Sequence, residues 1–363
     1  MAYGSVNVDK MTTSDGISSA GVYGFKNRLI NGNMVIAQRG TTPTSTNLWY
    51  PADRFRLAVS NSSKVNLSQS TTAPTGFVNS ILATSLAATT VGSTDAYEIS
   101  QQIEGYNIAD LGWGTASAKT VTLSFWVRSS LTGTFGGVFE NSGNTRAYPF
   151  SYTISAANTW EQKTITVAGD TSGTWLTDNS RGIIIRWSLG VGSTYLNTAN
   201  AWVAGDYYSV TGETKLVATN GATWYITGTH LEVGSTATSF DYRPYSAELA
   251  MCQRYYWQTI ANSTAGNAYN SITIGTGTGG TNSFMCMNHP VWMRSAATVT
   301  QSGCQVWDGS SNLSVTSVGA VYSSSTNTGV YLNHTGGSFT AGKAVTLSPW
   351  GSTTAYIALS SEL

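Results

Sequence analysis

Residues 230–257 read HLEVGSTATSFDYRPYSAELAMCQRYYW. Leu231–Val233 ends a long run of β-type sequence, and Gly234–Asp241 is a turn-rich patch of Gly, Ser, Thr and Asp. Pro244 then precedes the one convincing helical pattern in the chain. Ser246 fits an N-cap with Glu248 close behind. Leu249, Cys252, Arg254, Tyr255 and Tyr256 follow as a stripe at steps of three and four. One short helix, two-thirds of the way along a β-type chain, predicts two β domains joined by a helical hinge. The competing arrangement is a helix packed beneath one large sandwich. The expected division is an N-terminal arm over 1–26, a sandwich over 27–243, the hinge over 244–261 and a small β domain over 262–363.

Upstream of this stretch the alternation of side chains is of strand type. Phe55, Leu57 and Val59 share one face of Arg54–Val59. In Ala96–Glu104, Tyr97, Ile99, Gln101 and Ile103 oppose Glu98, Ser100, Gln102 and Glu104. The clearest strand is Thr120–Arg128, with Val121, Leu123, Phe125 and Val127 inward and Thr122, Ser124, Trp126 and Arg128 outward. Further strands are expected at Ala147–Ile154, Trp160–Val167, Gly182–Leu189 and Thr223–Val233, and Asn31-Gly32 marks a tight turn before another short one. Strands with no helices between them pair antiparallel, which predicts an all-β, antiparallel jelly-roll β-sandwich.

Downstream of the helix, strand candidates recur at Ala268–Ile274, Ser283–Met287, Ala297–Thr300, Gln305–Trp307, Leu313–Val321, Thr328–Leu332, Ala344–Leu347 and Ala355–Leu359. Gly275–Gly280 (GTGTGG) lacks the lysine and helix of a phosphate loop and reads as a hairpin turn. A small sheet of this size often needs a neighbouring chain to cover it, and the final residues are expected to be built into a sheet.

Composition narrows the function. Charged residues make up 10% of the chain against about 25% in an ordinary soluble domain, and 18 basic residues balance 18 acidic ones. No long-range field draws nucleic acid, and no apolar run approaches a membrane span or a secretory signal. The three cysteines, Cys252, Cys286 and Cys304, form neither a disulfide framework nor a metal motif. No cofactor is expected. A structural calcium held by carboxylates and backbone carbonyls would leave no sequence trace.

Glycoside hydrolysis needs two carboxylates about 5–10 Å apart. Glu98 and Glu104, six residues apart on one strand, are separated by roughly 20 Å. Pairing Glu98 with Glu140, or Glu104 with Asp110, depends on strand neighbours. His230, His289 and His334 are scattered, with no HExxH and no nucleophile elbow, and are read as hydrogen-bonded or exposed. Sugar binding fits better. Trp126 offers a ring for stacking, while Glu98, Gln102, Arg128, Arg56 and Arg186 offer planar groups for hydroxyls on what reads as one outward sheet face, to which Arg54 also belongs. The competing reading is that these charges solubilise an outer sheet, with Arg128 covering Trp126 as packing. Trp160, Trp187 and Trp224 read as core, and Trp113 and Trp175, in GWG and GTW loops, as candidates for exposure.

The segments NRLINGNMVIAQRG, ADRF, ISQQIEG, TVTLSFWVRSS, GDTSGTWLTDN, HLEVGSTATSFDYRPYSAELAMCQRYY, PVWMRSAATVT and AYIALSSEL, in this order, resemble those of phage tail-appendage proteins, though PVWMRSAATVT lies in the second domain. Those proteins carry a jelly-roll module similar to carbohydrate-binding modules. The opening MAYGSVNVDKMTTSDG is similar to the starts of tail proteins from phages of marine bacteria and cyanobacteria. The resemblance implies a virion structural protein of a tailed phage, of fibre or receptor-binding type, without catalysis. It also implies the alternatives of a purely structural adaptor, a capsid decoration or head-fibre protein, or a polysaccharide depolymerase. The expected partners are other virion proteins through residues 1–24, a host-surface glycan, and two further copies in a homotrimer, with no nucleic acid and no membrane insertion.

Overall fold

A computed structural model describes residues 25–259, 272–348 and 354–363. They divide into two compact units: residues 25–35, 42–49 and 56–244 in the first, and residues 36–41, 50–55 and 245 onward in the second. Residues 1–24 of the expected arm over 1–26 lie outside the described residues.

The first unit is an antiparallel β-sandwich. Its strands are β1 (Arg56–Val59), β2 (Val65–Ser70), β3 (Ser80–Ser85), β4 (Ala96–Glu104), β5 (Val121–Ser129), β6 (Gly133–Asn141) and β7 (Arg146–Ile154). There follow β8 (Glu161–Val167), β9 (Arg181–Val191), the two-residue strands β10 (Leu196–Asn197), β11 (Val203–Ala204) and β12 (Ser209–Val210), and β13 (Thr223–Val233). One sheet runs β1-β4-β9-β6-β7-β11 and the other β2-β3-β13-β5-β8. Phe125 of β5 meets Tyr152 of β7 and Trp187 of β9 edge-on at 5.1 and 6.0 Å, which places the two inner faces against each other. Val121, Leu123, Phe125 and Val127 are all fully buried, as their alternation predicts.

The segment NRLINGN forms no strand beyond its turn. It is held instead by side chains. Asn27 accepts from the backbone N–H groups of Leu29 and Leu231 and donates to Thr229 O. Gln101, inward on β4, donates to Ile30 O and accepts from Ile30 N. Arg243 donates to Asn27 O and Leu29 O, while Asp241 accepts from Asn27 N at 3.2 Å. The two ends of the sandwich sequence are therefore tied to each other, leaving Leu29 and Met34 in the core.

In the second unit α1 (Tyr245–Gln253) starts one residue before Ser246, so the expected N-cap lies inside the helix. Tyr255 and Tyr256 fall beyond its end, and Tyr256 opens β14 (Tyr256–Gln258). The remaining strands are β15 (Thr273–Gly277), β16 (Asn282–Asn288), β17 (Thr298–Ser302), β18 (Gln305–Trp307), β19 (Asn312–Ser323), β20 (Asn327–Thr335), β21 (Ala344–Ser348) and β22 (Tyr356–Ser360). Six of them close into a barrel, β15-β16-β20-β19-β18-β21, and β14-β22-β17 form a small sheet. Closure explains how so short a segment buries a core of Met285, Val306, Val330, Leu332 and Leu347: a closed sheet has no open edge to cover. GTGTGG makes the β15–β16 hairpin turn, as expected.

Segments 36–41 and 50–55 bring Arg39 and Arg54 into this second unit. Arg54 pairs with Glu362 and lies 3.5 Å from the ring centre of Tyr255. Arg39 reaches Glu362 at 3.1 Å and sits over the rings of Tyr50 and Tyr256. Arg54 is thus a buried ion-pair partner rather than part of an outward sheet face, because the chain leaves the strand pattern before β1 begins at Arg56.

Candidate functional site

The outward residues expected to form one face lie on two. Trp126 and Arg128 stand on β5 in the five-stranded sheet. Arg56, Glu98, Gln102 and Arg186 stand on β1, β4 and β9 in the six-stranded sheet. All six point away from the core, as period-two alternation demands, but outward on the two sheets of a sandwich means opposite surfaces.

On the six-stranded sheet, cross-strand register aligns Arg56, Ser100, Arg186 and Val138 in one row and Gln102, Ile184 and Glu140 in the next. Glu98 pairs with Ser188 in the row on the other side. Arg186 therefore has a glutamate on each diagonal. It pairs with Glu98 from β4, and its Nε and Nη2 donate to Glu140 Oε2 of β6 at 3.2 and 2.9 Å. Exposures of 5% for Arg186, 1% for Glu98 and 0% for Glu140 mean that this face is covered. The cover is the strap of residues 192–216. Its Tyr208 ring lies 4.3 Å from the Arg186 guanidinium and stacks on Tyr195 at 4.3 Å and 11°. Tyr208 Oη and Asn144 Nδ2 both donate to Asp206 at 3.1 Å. Burial works against the Arg186 charge, but Glu98 and then Glu140 outweigh it and hold the guanidinium above its ordinary range. Burial pushes the Glu140 carboxyl up to about 8, against the pull of Arg186 and with Asp206 adding to the rise.

The outer face of the five-stranded sheet is more open. Register sets Arg128 opposite Tyr225 of β13, and Trp126 between Thr227 of β13 and Gln162 of β8. The Arg128 guanidinium lies 5.0 Å from the Tyr225 ring centre, and Trp160 meets Tyr225 edge-on at 5.9 Å. Trp126, Arg128, Trp160 and Tyr225 are all half-buried, and Gln162 is exposed. Arg128 is oriented by Nε donating to Asn158 O at 2.8 Å. A bulge in β13 between Thr227 and His230 bounds this surface. Its Gly228 has φ +60, and a Cβ there would press on the ring of Phe77 and meet Trp126 Cδ1 at 3.1 Å. Glycine is required there both for the backbone angle and for the approach of the two rings. Beyond the bulge Thr122 and Ser124 are buried, and Glu232 accepts from Thr238 N and Oγ1 at 2.7 Å. On β8 the outward Thr164 and Thr166 stay exposed at that end, but the aromatic rings are grouped at the Trp126–Arg128 end.

Sequence reasoning missed Tyr225 and placed Trp160 in the core. Trp160 sits just before β8, where strand alternation does not govern it, while Trp187 and Trp224 are fully buried as expected. Trp113 and Trp175 are also buried. They pack edge-on at 4.8 Å and join Trp202 at 5.4 Å each, with every indole N–H donating to a backbone carbonyl.

The carboxylates divide by strand position. Glu98 and Glu140 do converge, but on Arg186 and under cover. Asp110 pairs with Arg28 at 2.7 Å instead of Glu104. His289 and His334 find hydroxyl or carbonyl partners as expected. His230 does not: it is fully buried with neither ring nitrogen hydrogen-bonded. Among the described residues no group of three or more His, Cys, Asp or Glu is placed to hold a metal ion, and no helix is long and apolar enough to cross a membrane.

The molecule is thus an all-β protein with a jelly-roll-type sandwich, a short helix and a second, smaller β unit. Neither a protein-family model nor a curated protein sequence matches the chain. Among solved structures it is similar to the enzymatically active domain of bacteriophage CBA120 tailspike protein 4, with 13% identity and a TM-score of 0.32, over 57% of this chain and 21% of that one. It is similar to a family 4 carbohydrate-binding module with 13% identity and a TM-score of 0.30, over 56% of this chain and 98% of that one. A third likeness is the family 11 carbohydrate-binding module of the Clostridium thermocellum cellulase Lic26A-Cel5E, with 11% identity and a TM-score of 0.27, over 54% of this chain and 96% of that one. The chain spans about a fifth of the tailspike domain's length. Likeness at this level carries no ligand or activity across.

Proposed function

We propose that this chain is a non-catalytic, glycan-binding structural protein of a tailed-phage virion, and that it binds host-surface glycan on the outer face of the five-stranded sheet. The observation that carries the binding role is the half-exposed group of Trp126, Tyr225 and Trp160 around the oriented guanidinium of Arg128, with Gln162 beside it. Sugar rings place their C–H faces on aromatic planes while hydroxyls pair with planar amide and guanidinium groups. The virion assignment rests on the sequence resemblance, and the homotrimer and the attachment through residues 1–24 belong to the same proposal. Sedimentation showing a monomer at micromolar concentration would remove the trimer.

The second reading, a virion adaptor or decoration protein without a sugar site, is favoured by one observation. Arg128 is spent on Asn158 O and the Tyr225 ring, as a packing residue would be. Titration of the purified chain with host envelope polysaccharide separates the two. Trp126→Ala is expected to weaken binding by about 1–3 kcal/mol, the range found for base–aromatic stacking, while leaving the unfolding transition in place. Equal binding by a folded mutant would take the role away from this face. Release of reducing ends during the titration would favour a depolymerase.

A further inference from the structure

Arg128 is a cation without a counter-ion. Among the described residues no carboxylate pairs with it, although Arg28, Arg39, Arg54, Arg146 and Arg186 each have one. On the same outward face β13 presents Tyr225 and Thr227, and β8 presents Gln162, Thr164 and Thr166, none of them charged. The charged residues of β8, Glu161 and Lys163, stand opposite the inward Val127 and Phe125 and pair with each other at 2.6 Å. Glu161 also accepts from the backbone N–H groups of Ser155 and Ala156. Glu232 lies beyond the β13 bulge and is held by Thr238. The Arg128 side chain is nonetheless fixed. Its Nε donates to Asn158 O at 2.8 Å, and its guanidinium lies 5.0 Å from the Tyr225 ring centre. The Asn158 contact closes the side edge of the guanidinium. It leaves the end edge, Nη1 and Nη2, with no acceptor among the described residues, and neither atom is sealed from water.

We propose that the glycan recognised on this face is an acidic one, and that Arg128 selects it by pairing its Nη1–Nη2 edge with a carboxylate or sulfate group. The inference rests on the reading of this face as a glycan site and adds the class of sugar. Three points carry it. The guanidinium is half-buried and held in one place, so little freedom is lost when an anion docks. Its free edge presents two parallel N–H donors, the geometry that an oxyanion accepts end-on. Charge-assisted hydrogen bonds of this kind are roughly twice as strong as those made to a neutral sugar hydroxyl. Trp126, two residues away on the same side of β5, lies roughly 7 Å along the strand, so a ring stacked there carries its substituents toward Arg128. A neutral glycan would use the rings and leave the cation unanswered.

The test titrates the full chain with host envelope polysaccharide separated by anion exchange into neutral and acidic fractions. The acidic fraction is also titrated after carboxyl reduction and after desulfation. Wild type is expected to bind the acidic fraction roughly 10- to 100-fold more tightly than the neutral one, and to lose that margin in high salt. Whichever treatment abolishes the preference names the group. Arg128→Gln, which keeps a planar donor without the charge, is expected to bring the ratio of the two affinities toward one. Arg128→Lys, which keeps the charge without the fork, should fall between. Equal wild-type affinity for the two fractions would overturn the inference and leave the glycan site standing. So would a preference that survives in folded Arg128→Gln. The wild-type comparison needs no variant, so it decides the matter even if the substitution does not fold. Failure of the site itself looks different: neither fraction binds, or Trp126→Ala leaves the binding of both unchanged, and the inference then falls with the site.

Discussion

The Cα hydrogens of Gly32 face the carbonyl oxygen of Thr229 so closely that a Cβ at residue 32 would overlap that oxygen. Asn27 Nδ2 and the Phe240 ring close the remaining space at 3.1 and 3.2 Å. Thr229 N in turn donates to Gly32 O at 2.9 Å, so the turn of NRLINGN is seated directly on the β13 bulge. Gly32→Ala is expected to cost about 1–3 kcal/mol, the range for overpacking a site that cannot expand. Chemical denaturation of the purified variant measures it, and a shift under 0.5 kcal/mol would show that the turn can move away.

Arg186 is bracketed by two buried glutamates, and its removal leaves Glu98 without its cation and Glu140 without its donor. Arg186→Met is expected to destabilise the sandwich by about 3–5 kcal/mol. Adding Glu98→Gln and Glu140→Gln should recover much of that loss, because the cost lies in unpaired charge rather than in missing attraction. A triple variant no more stable than the single one would contradict this account of the cluster.

Glu362 holds two cations in the second unit, Arg54 through one oxygen and Arg39 through the other. Arg294 fixes the same end by donating to Ser361 O at 2.7 Å and Glu362 O at 3.1 Å. Glu362→Ala leaves Arg54 in a site of very low exposure without its carboxylate, and about 3 kcal/mol should be lost. Glu362→Gln, which keeps the shape and can still accept, should lose less. Equal and negligible losses for both in urea unfolding would show the pair to be ornamental.

His230 gives the molecule an acid-side weakness. Burial holds its imidazole below the ordinary histidine range, opposed by Glu232, whose carboxylate lies 3.8 Å from Nδ1. The folded state therefore binds fewer protons at this site than the unfolded chain does. Stability is full above about pH 6.5, the usual histidine value, and falls as the pH drops from there through the depressed folded value. His230→Leu should remove that part of the pH dependence, with little loss at neutral pH because no hydrogen bond is broken. Unfolding midpoints of the two proteins at neutral and mildly acidic pH decide it.

Much of this molecule was legible locally. Alternation alone located β4, β5, β8 and β13 to within two residues, and in the second unit β16 to β22 fall close to their expected spans. Strand periodicity is a property of neighbouring residues, and a buried face imposes it without reference to which strand lies alongside. The same logic correctly turned Trp126, Arg128, Glu98, Gln102, Arg56 and Arg186 away from the core. β2, β3 and β6 do not stand out by alternation because Ser, Thr and Gly dilute their apolar pattern.

What tertiary structure decided is which of those outward residues share a surface. β5 and β4 belong to different sheets, so Trp126 and Glu98 face opposite ways although both obey the same alternation. The strap over Arg186, the closure of the second unit into a barrel, and the return of Arg39 and Arg54 to Glu362 are likewise set by pairings between residues far apart in the chain. A strand's own sequence carries its pleat and its faces. Its neighbours are chosen by the register and hydrogen bonding of distant segments, which no local pattern records.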